Sequence, residues 1–459
     1  MRFGFFSLPI VIALLSGCVA SPKPVFDVTR NVPAQFAASE QSGAIDARWW
    51  DSFGDPRLTT LVEEGVLESP AVGQALARME QVRAQARISR ADLLPQVGAG
   101  LGGTGRGGAG NAGVADTLDL SVNVSWEADL WERLSSLNAA DRSDYLASAA
   151  NLRAARQAVA AQTTRTYFAV IEAEQQIALS SRVLETYGEL TRQLNLRVEA
   201  GISPLSSKTL VITDQQTARG GLEARQEDYK RLVRQLEIIL RDYPDGEIDL
   251  AQALPALPPV PATGLPSELL SRRPDVAAAD LQLAAAGYRL DAAKRSFLPS
   301  LSLNGSAGTS AGSFANLFDG GFFIWSIAGQ ILQPIFQGGR LRAQLDQREG
   351  EQDEALERYA EVALQALFEV ETALAIDSNL AAREAAFLAA ADAAEQSLNI
   401  STKRYRAGIE PFFNVLETQQ RALNARSAYL STRRDRLFNR VDLHLALGGG
   451  LEDIPPQTP

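Results

Sequence analysis

The 459-residue chain holds one cysteine, Cys18, and one histidine, His444. Metal centres built on clustered Cys and His are therefore excluded, and an internal disulfide is impossible because it needs two thiols. Cys–His nucleophilic catalysis has little to stand on, since Cys18 lies directly behind an N-terminal apolar segment. Positive charge is the minority sign, with 44 Lys and Arg against 55 Asp and Glu and a net charge of −11. With no basic stripe, that balance argues against nucleic acid as a partner. Acidic and basic residues alternate instead along helix-favouring segments, as on solvated faces. Gly103-Thr104-Gly105-Arg106-Gly107-Gly108 fits G-x-G-x-x-G. It lies between strand-like segments and opens no helix, which the dinucleotide fingerprint requires. His444 reads as a packed or solvated residue of the last helix. No catalytic site can be assembled, so the chain reads as a non-enzyme without a dissociable cofactor.

Proline is missing from two long stretches, 134–200 and 341–407, both rich in Ala, Gln, Glu, Arg and Leu. Each predicts a single helix, and at 1.5 Å per residue each spans roughly 100 Å. Both run into the same short motif. Gly201-Ile202-Ser203-Pro204 and Gly408-Ile409-Glu410-Pro411 lie 207 residues apart. Glycine stops a helix in the left-handed conformation and proline suits the first turn of the next. The motifs therefore predict the tips of two antiparallel helical hairpins, with returning helices at about 204–242 and 411–447.

The tips belong to a duplication. Pro70 and Pro95 recur as Pro274 and Pro299, Ser69-Pro70-Ala71-Val72 as Arg273-Pro274-Asp275-Val276, and Arg133-Leu134 as Arg340-Leu341. Shorter helices are expected at about 58–67 and 70–94, with Ser69 as cap and Pro70 in first position. The aromatics of Trp49-Trp50-Asp51-Ser52-Phe53 read as core packing. Pro255, Pro258, Pro259, Pro261 and Pro266 make 254–266 a stiff linker between the halves. The first repeat is placed at 57–253, the second at 267–450, and a disordered tail at 451–459.

Between the short and the long helices of each repeat the periodicity changes. Leu118-Asp119-Leu120-Ser121-Val122-Asn123-Val124-Ser125-Trp126 alternates strictly between apolar and polar, the period of a strand with unlike faces. A glycine-crowded partner is placed at about 96–103, giving a hairpin over about 96–131. The second hairpin covers about 300–336, with Leu301 and Leu303 on one face and a last strand from Ile324 through Phe336. Strands of this length cross a bilayer when tilted. Trp126, Trp131, Phe322, Phe323, Trp325 and Phe336 fall near their ends, as in an aromatic girdle. Four strands do not close a barrel, and open edges do not face lipid, so several copies must share one.

At the N-terminus, Arg2 precedes an apolar run from Phe3 to Leu15, the length of a signal-peptide core and too short to span a membrane as a helix. It ends in Leu15-Ser16-Gly17-Cys18, a bacterial lipobox. Residues 1–17 are expected to be removed, Cys18 to carry a covalent lipid, and 18–56 to form the arm leaving it. Val19 after the cysteine resembles lipoproteins sorted to the outer membrane.

The chain as a whole resembles the TolC/OprM-type outer-membrane efflux factors, in their lipoprotein (NodT-like) branch. The resemblance rests on Trp50 to Leu58, Leu269-Leu270-Ser271-Arg272-Arg273-Pro274-Asp275-Val276, Phe297-Leu298-Pro299, Gln333-Pro334-Ile335-Phe336-Gln337-Gly338-Gly339-Arg340 and Tyr405 to Gln419. It implies a mainly α chain with a membrane β part. Three copies would form a twelve-stranded barrel continued by a twelve-helix periplasmic tunnel. The partners it implies are an inner-membrane transporter, a periplasmic adaptor and outer-membrane lipid; the cargo is drugs, other small molecules or ions. It also implies a gate at the helical tips, at Tyr405, Glu410, Asn414 and Glu417, facing Ser206 and Ser207. The family often has aspartates where this chain has Asn414, Ser207 and Gln337, which leaves Glu417 as the carboxylate expected to charge the constriction. Three copies of Glu417 near an axis attract cations and repel one another when no counter-charge is present. Two other readings remain: a coiled-coil structural lipoprotein, which leaves the strands without a use, and a lipoprotein hydrolase, which lacks a nucleophile and base.

Overall fold

The computed structural model describes residues 36, 48–106, 115–264, 266–319, 321 and 323–449. The signal segment 1–17, Cys18, most of the arm, the glycine-rich 107–114, Phe322 and the tail 451–459 lie outside the described residues. A 3-10 turn at Trp49–Phe53 leads into α1 (Pro56–Glu68) and α2 (Pro70–Ala91). Strands β1 (Gln96–Arg106) and β2 (Ala115–Ala128) follow, then α3 (Arg133–Glu199) and α4 (Leu205–Leu240). The second half repeats the order as α5 (Pro266–Arg272), α6 (Pro274–Arg295), β3 (Ser300–Ala311), β4 (Phe323–Leu332), α7 (Arg340–Arg406) and α8 (Phe412–Ala446).

The long helices α3 and α7 are each 67 residues and unbroken, about 100 Å at the standard rise. Both bury alanines among larger side chains. Ala147 and Ala150 of α3 pack against Ala278 of α6, and α7 buries Ala360, Ala363, Ala366 and Ala373 at helical spacing. Small side chains let helix axes approach closely, and α3 adds large ones, burying Tyr167, Phe168, Ile171 and Leu194.

Both tips close in the same way. Gly201 (φ +71) and Gly408 (φ +76) take the left-handed conformation that glycine reaches without a Cβ clash. Ile202 N–H donates to Arg197 O at 2.8 Å and Gly201 N–H to Val198 O at 3.0 Å. At the second tip, Ile409 donates to Arg404 O at 2.9 Å and Gly408 to Tyr405 O at 3.0 Å, so both are Schellman stops. One detail departs from the sequence expectation. Pro204 and Pro411 are extended N-caps, with ψ of 152° and 148°, and the helices begin one residue later. The reversal needs an extended residue between the left-handed glycine and the new helix, and proline's fixed φ supplies it.

The two β-hairpins form one antiparallel sheet in the order β1-β2-β3-β4, joined where β2 pairs with β3. Strand β4 stops at Leu332 rather than running to Phe336. Pro334 cannot donate to a ladder, and the Gln333 side-chain amide turns to Phe297 O at 2.9 Å. Helix α2 ends at Ala91, short of residue 94, because the residue before Pro95 avoids the helical region. The inner end of the sheet is lashed to the helices by indole donors: Trp126 Nε1 to Leu93 O at 3.0 Å and Trp131 Nε1 to Pro299 O at 2.7 Å.

The cores lie where the chain halves meet. Trp49, Trp50 and Phe53 are buried among Leu58, Leu61, Phe168 and Leu437, as core aromatics. His444 is buried too, its ring stacked on Trp49 at 5.3 Å. Phe36, from the arm, is buried against Leu269, Val276 and Leu443 of the second half. The proline-rich segment is strapped down: Leu254 is buried, Arg440 Nη1 donates to Pro258 O at 2.7 Å, and Arg433 Nη2 reaches Pro255 O at 3.3 Å.

Arg273 shows what the Arg-Arg-Pro-Asp-Val motif does. Its guanidinium holds Asp275 through two bonds of 3.0 and 2.7 Å, and its Nη1 donates to Glu369 at 2.6 Å and Ala446 O at 3.0 Å. One side chain thus ties the start of α6 to α7 and the end of α8. Burial alone would raise the Asp275 carboxyl, but the Arg273 bonds and charge hold it below its ordinary value. A carboxyl depressed in the folded state stabilises above its unfolded pKa, and that contribution is lost as pH falls through the folded one. Asp275 is 41% exposed, so Arg273→Ala is expected to cost on the order of 2 kcal/mol, below the cost of breaking a fully buried pair. Thermal unfolding at neutral pH should show a lower midpoint for the variant, with the gap to wild type narrowing below about pH 4.

Candidate functional site: a two-faced sheet above two helical tips

Pairing register and the two-residue pleat assign every strand position to a face. On one face β4 carries Phe323, Trp325, Ile327 and Ile331, and β3 carries Leu301 and Leu303. Across the β2–β3 ladder the same face continues as Leu118, Leu120, Val122, Val124 and Trp126, and on β1 as Val97 and Leu101. Thr309 supplies the one hydroxyl among the described side chains of that face. The opposite face reads Thr117, Asp119, Ser121, Asn123 and Ser125 on β2, and Ser300, Ser302, Asn304 and Ser306 on β3. Glycines fill β1, and only Ile324, Ala328 and Leu332 of β4 interrupt the polar pattern. Side chains on this face bond one another: Asn123 to Ser121 at 3.2 Å, Ser306 to Ser326 at 2.8 Å, and Thr117 to Thr104 at 3.3 Å. Of its two carboxylates, Glu127 is matched by Arg133 at 2.8 Å. The sheet is a wall with hydrocarbon on one side and hydroxyls and amides on the other.

That wall is open. Strands β1 and β4 do not pair with each other, so each leaves an unpaired edge. The long helices show the same incompleteness. They pack in the order α4–α3–α8–α7, and α4 and α7 have no substantial contact with each other. Leu364 and Phe368 on α7 and Ile238 on α4 are exposed.

The described residues include no group of His, Cys, Asp and Glu suited to a metal ion, and no helix long and apolar enough to cross a membrane. The described part of the glycine motif, residues 103–106, lies in β1, and the next described element is β2.

At the tips the two hairpins share an apolar plug of Tyr187, Leu190 and Leu194 from α3, Val211 from α4, Tyr405 from α7, and Phe412, Val415 and Leu416 from α8. Tyr405 is 3% exposed, so its ring belongs to this plug. Arg197 of the first hairpin covers it, with the guanidinium carbon 4.5 Å from the ring centroid and Nη2 3.3 Å from Tyr405 O. The Tyr405 hydroxyl is buried without a hydrogen-bond partner among the described residues. Glu410 is held by Arg404 at 3.2 Å and accepts from Asn414 Nδ2 at 3.0 Å, which brings two of the sequence-derived positions together. Glu417 is exposed, and the counter-charge is present: Arg421, one turn along α8, donates to it at 2.5 Å. Ser206 is exposed and Ser207 half-buried in the first turn of α4.

The Arg197–Tyr405 tie escaped the sequence reading, and so did a polar belt higher up. There Glu172 and Gln176 of α3 meet Ser427, Ser431 and Arg434 of α8 at 2.9 to 3.2 Å, and Arg225 of α4 also bonds Gln176. Partners some 250 residues apart leave no local signal. Only the duplication, which aligns the two hairpins, hinted that they would lie side by side.

The family described as outer membrane efflux protein matches residues 61–242 and 265–449. The outer membrane protein OprJ of Pseudomonas aeruginosa is 33% identical, with 98% of this chain and 96% of the relative covered. The pyoverdine export outer membrane protein OpmQ of the same organism is 29% identical over 97% of this chain and 96% of its own. Among solved structures, the open-state MtrE outer membrane channel of Neisseria gonorrhoeae superposes with a TM-score of 0.82 at 28% identity, covering 92% of this chain and 96% of that one.

Arg197 is the described side chain that covers the Tyr405 ring across the two hairpins, and its removal is expected to loosen the tip. Arg197→Ala should raise the conductance of the protein in planar bilayers, whereas Tyr405→Phe, which deletes only an unpartnered hydroxyl, should leave it within the wild-type range. Equal conductance in Arg197→Ala and wild type would show that the tie does not hold the tip.

Proposed function

The chain belongs to the outer membrane efflux protein family, and from that premise we propose how it works: three copies close a shared barrel and a shared tunnel. The protein is the outer-membrane channel subunit of an efflux system, and it conducts small molecules outward from a periplasm-spanning assembly. The observation that carries the assembly reading is the pair of unpaired strand edges on a sheet whose one face is hydrocarbon. An unpaired peptide group in lipid costs several kcal/mol, so spanning strands exist only in closed barrels. Three four-stranded sheets give twelve strands, with β4 of one copy beside β1 of the next, above the minimum of about eight for a bacterial barrel. The free edges of α4 and α7 join in the same rotation, and four long helices per copy give a twelve-helix tunnel.

The polar face then lines the water-filled lumen and the apolar face meets lipid. A lipid on Cys18 adds an anchor ahead of the arm, whose Phe36 is seated in the second-half core. The tips are the gate: Tyr405 is part of the plug, and Glu410, Asn414, Glu417, Ser206 and Ser207 surround the opening. A periplasmic adaptor and an inner-membrane transporter complete the path and supply the energy.

The native mass of the protein in mild detergent tests this reading first. Three chains are expected, and a folded monomer would overturn the shared barrel. At the gate, Glu417→Ala should lower the cation preference of the pore measured from reversal potentials. Arg421→Ala should raise it by baring the carboxylate. Ion selectivity unchanged in both variants would remove Glu417 from the constriction.

A further inference from the structure

Strands β3 and β4 are joined through a 3-10 turn, Phe314–Phe318. Thr309, whose place in the β2–β3 register puts it on the apolar face beside Leu120, donates its hydroxyl to Leu317 O at 2.6 Å. Ala311 on the same face is 4% exposed and Leu317 is 1% exposed. The turn therefore folds back onto the outer, hydrocarbon side of the sheet rather than over the polar lumen, and it satisfies the one hydroxyl on that side. Its remaining bulk faces away from the protein. Phe314 and Phe318 are 61% and 72% exposed, with their rings edge-to-face at 5.7 Å. They extend the aromatic patch of Phe323 and Trp325 around the far end of the sheet.

We propose that this turn is a lipid-binding foot whose two phenylalanines insert at the boundary between headgroups and acyl chains of the outer leaflet. The inference rests on the membrane-barrel reading above. A tilted strand of about ten residues crosses the hydrocarbon, and β3 has 12 residues, so the turn that follows it lies at the outer interface. Aromatic rings are favoured at that depth. A foot there, repeated on each copy, fixes the height and tilt of the barrel against the outer leaflet, opposite the inner aromatic pair Trp126 and Trp131. A neighbouring copy is the other occupant the rings could meet. Continuity with the lipid-facing surface favours lipid.

Tryptophan quenching tests the proposal on the full-length protein, reconstituted in phosphatidylcholine vesicles brominated high on the acyl chains. Phe318→Trp keeps the aromatic character, and its added emission should be quenched, so the quenched fraction rises above wild type. Trp325→Phe, which removes an indole from the lipid face, should lower that fraction. A quenched fraction unchanged by Trp325→Phe would overturn the membrane-barrel reading itself. A fall with Trp325→Phe together with unquenched added emission from Phe318→Trp would overturn the foot alone. Added emission that is blue-shifted yet unquenched would place the turn against a neighbouring copy, which also overturns it.

Discussion

Every peptide group that enters hydrocarbon must find its hydrogen-bond partner inside protein, and a chain with four membrane strands cannot meet that requirement alone. The sheet pairs β1, β2, β3 and β4 internally and leaves an edge at each side. In the proposed assembly, that single deficit sets the need for further copies, the direction in which they join, and the enclosure of a lumen wider than four strands could surround. The pleat then decides what lies inside and outside, because alternate side chains must face opposite media. Leu118, Leu120, Val122 and Val124 against Asp119, Ser121 and Asn123 is that decision written along one strand.

Below the membrane the constraint changes from hydrogen bonding to span. A channel that reaches through an aqueous compartment needs length without bulk, and α3 and α7 supply it with 67-residue helices. Several groups of contacts fix their relative position, among them the core where Tyr167, Phe168 and Ile171 meet Leu437 and Val441. Arg273 gathers α6, α7 and α8 at the upper end, the Glu172–Gln176 belt joins α3 to α8 lower down, and the aromatic plug closes the tip. The proline-rich segment passes between these points as a strap whose carbonyls are claimed by Arg433 and Arg440.

Features with local causes were legible in the sequence. The Gly-Ile-x-Pro tips were, because a left-handed glycine and a helix start are set by a few residues, and both tips show the same pair of backbone bonds. So were the length of α3 and α7, from missing prolines, and the two faces of β2, from strict alternation. The end of β4 was misjudged because Ile335 and Phe336 have strand propensity, whereas Pro334 and the Gln333 bond to Phe297 O end the ladder. The electrostatics of the tip were the least visible. Glu417 looked like an isolated carboxylate until Arg421 was seen to reach back to it. The place of Tyr405 depends on Arg197, which lies in the other repeat, 208 residues away.

The alanine contacts of α3 with α6 also bear on which helix pairs are interlocked. Large side chains interlock as knobs in holes and hold two helices in one axial register, since leaving it means lifting each knob over a neighbour. Methyl groups present a surface of low relief. Along Ala147, Ala150 and Ala278, α3 and α6 meet through methyl groups, whereas Tyr167, Phe168 and Ile171 of α3 share a core with Leu437 and Val441 of α8. Resistance to axial sliding therefore comes from that core, the polar belt and the tip plug rather than from the alanine contacts. Sliding along those methyl groups meets the least relief, as between two polished rods.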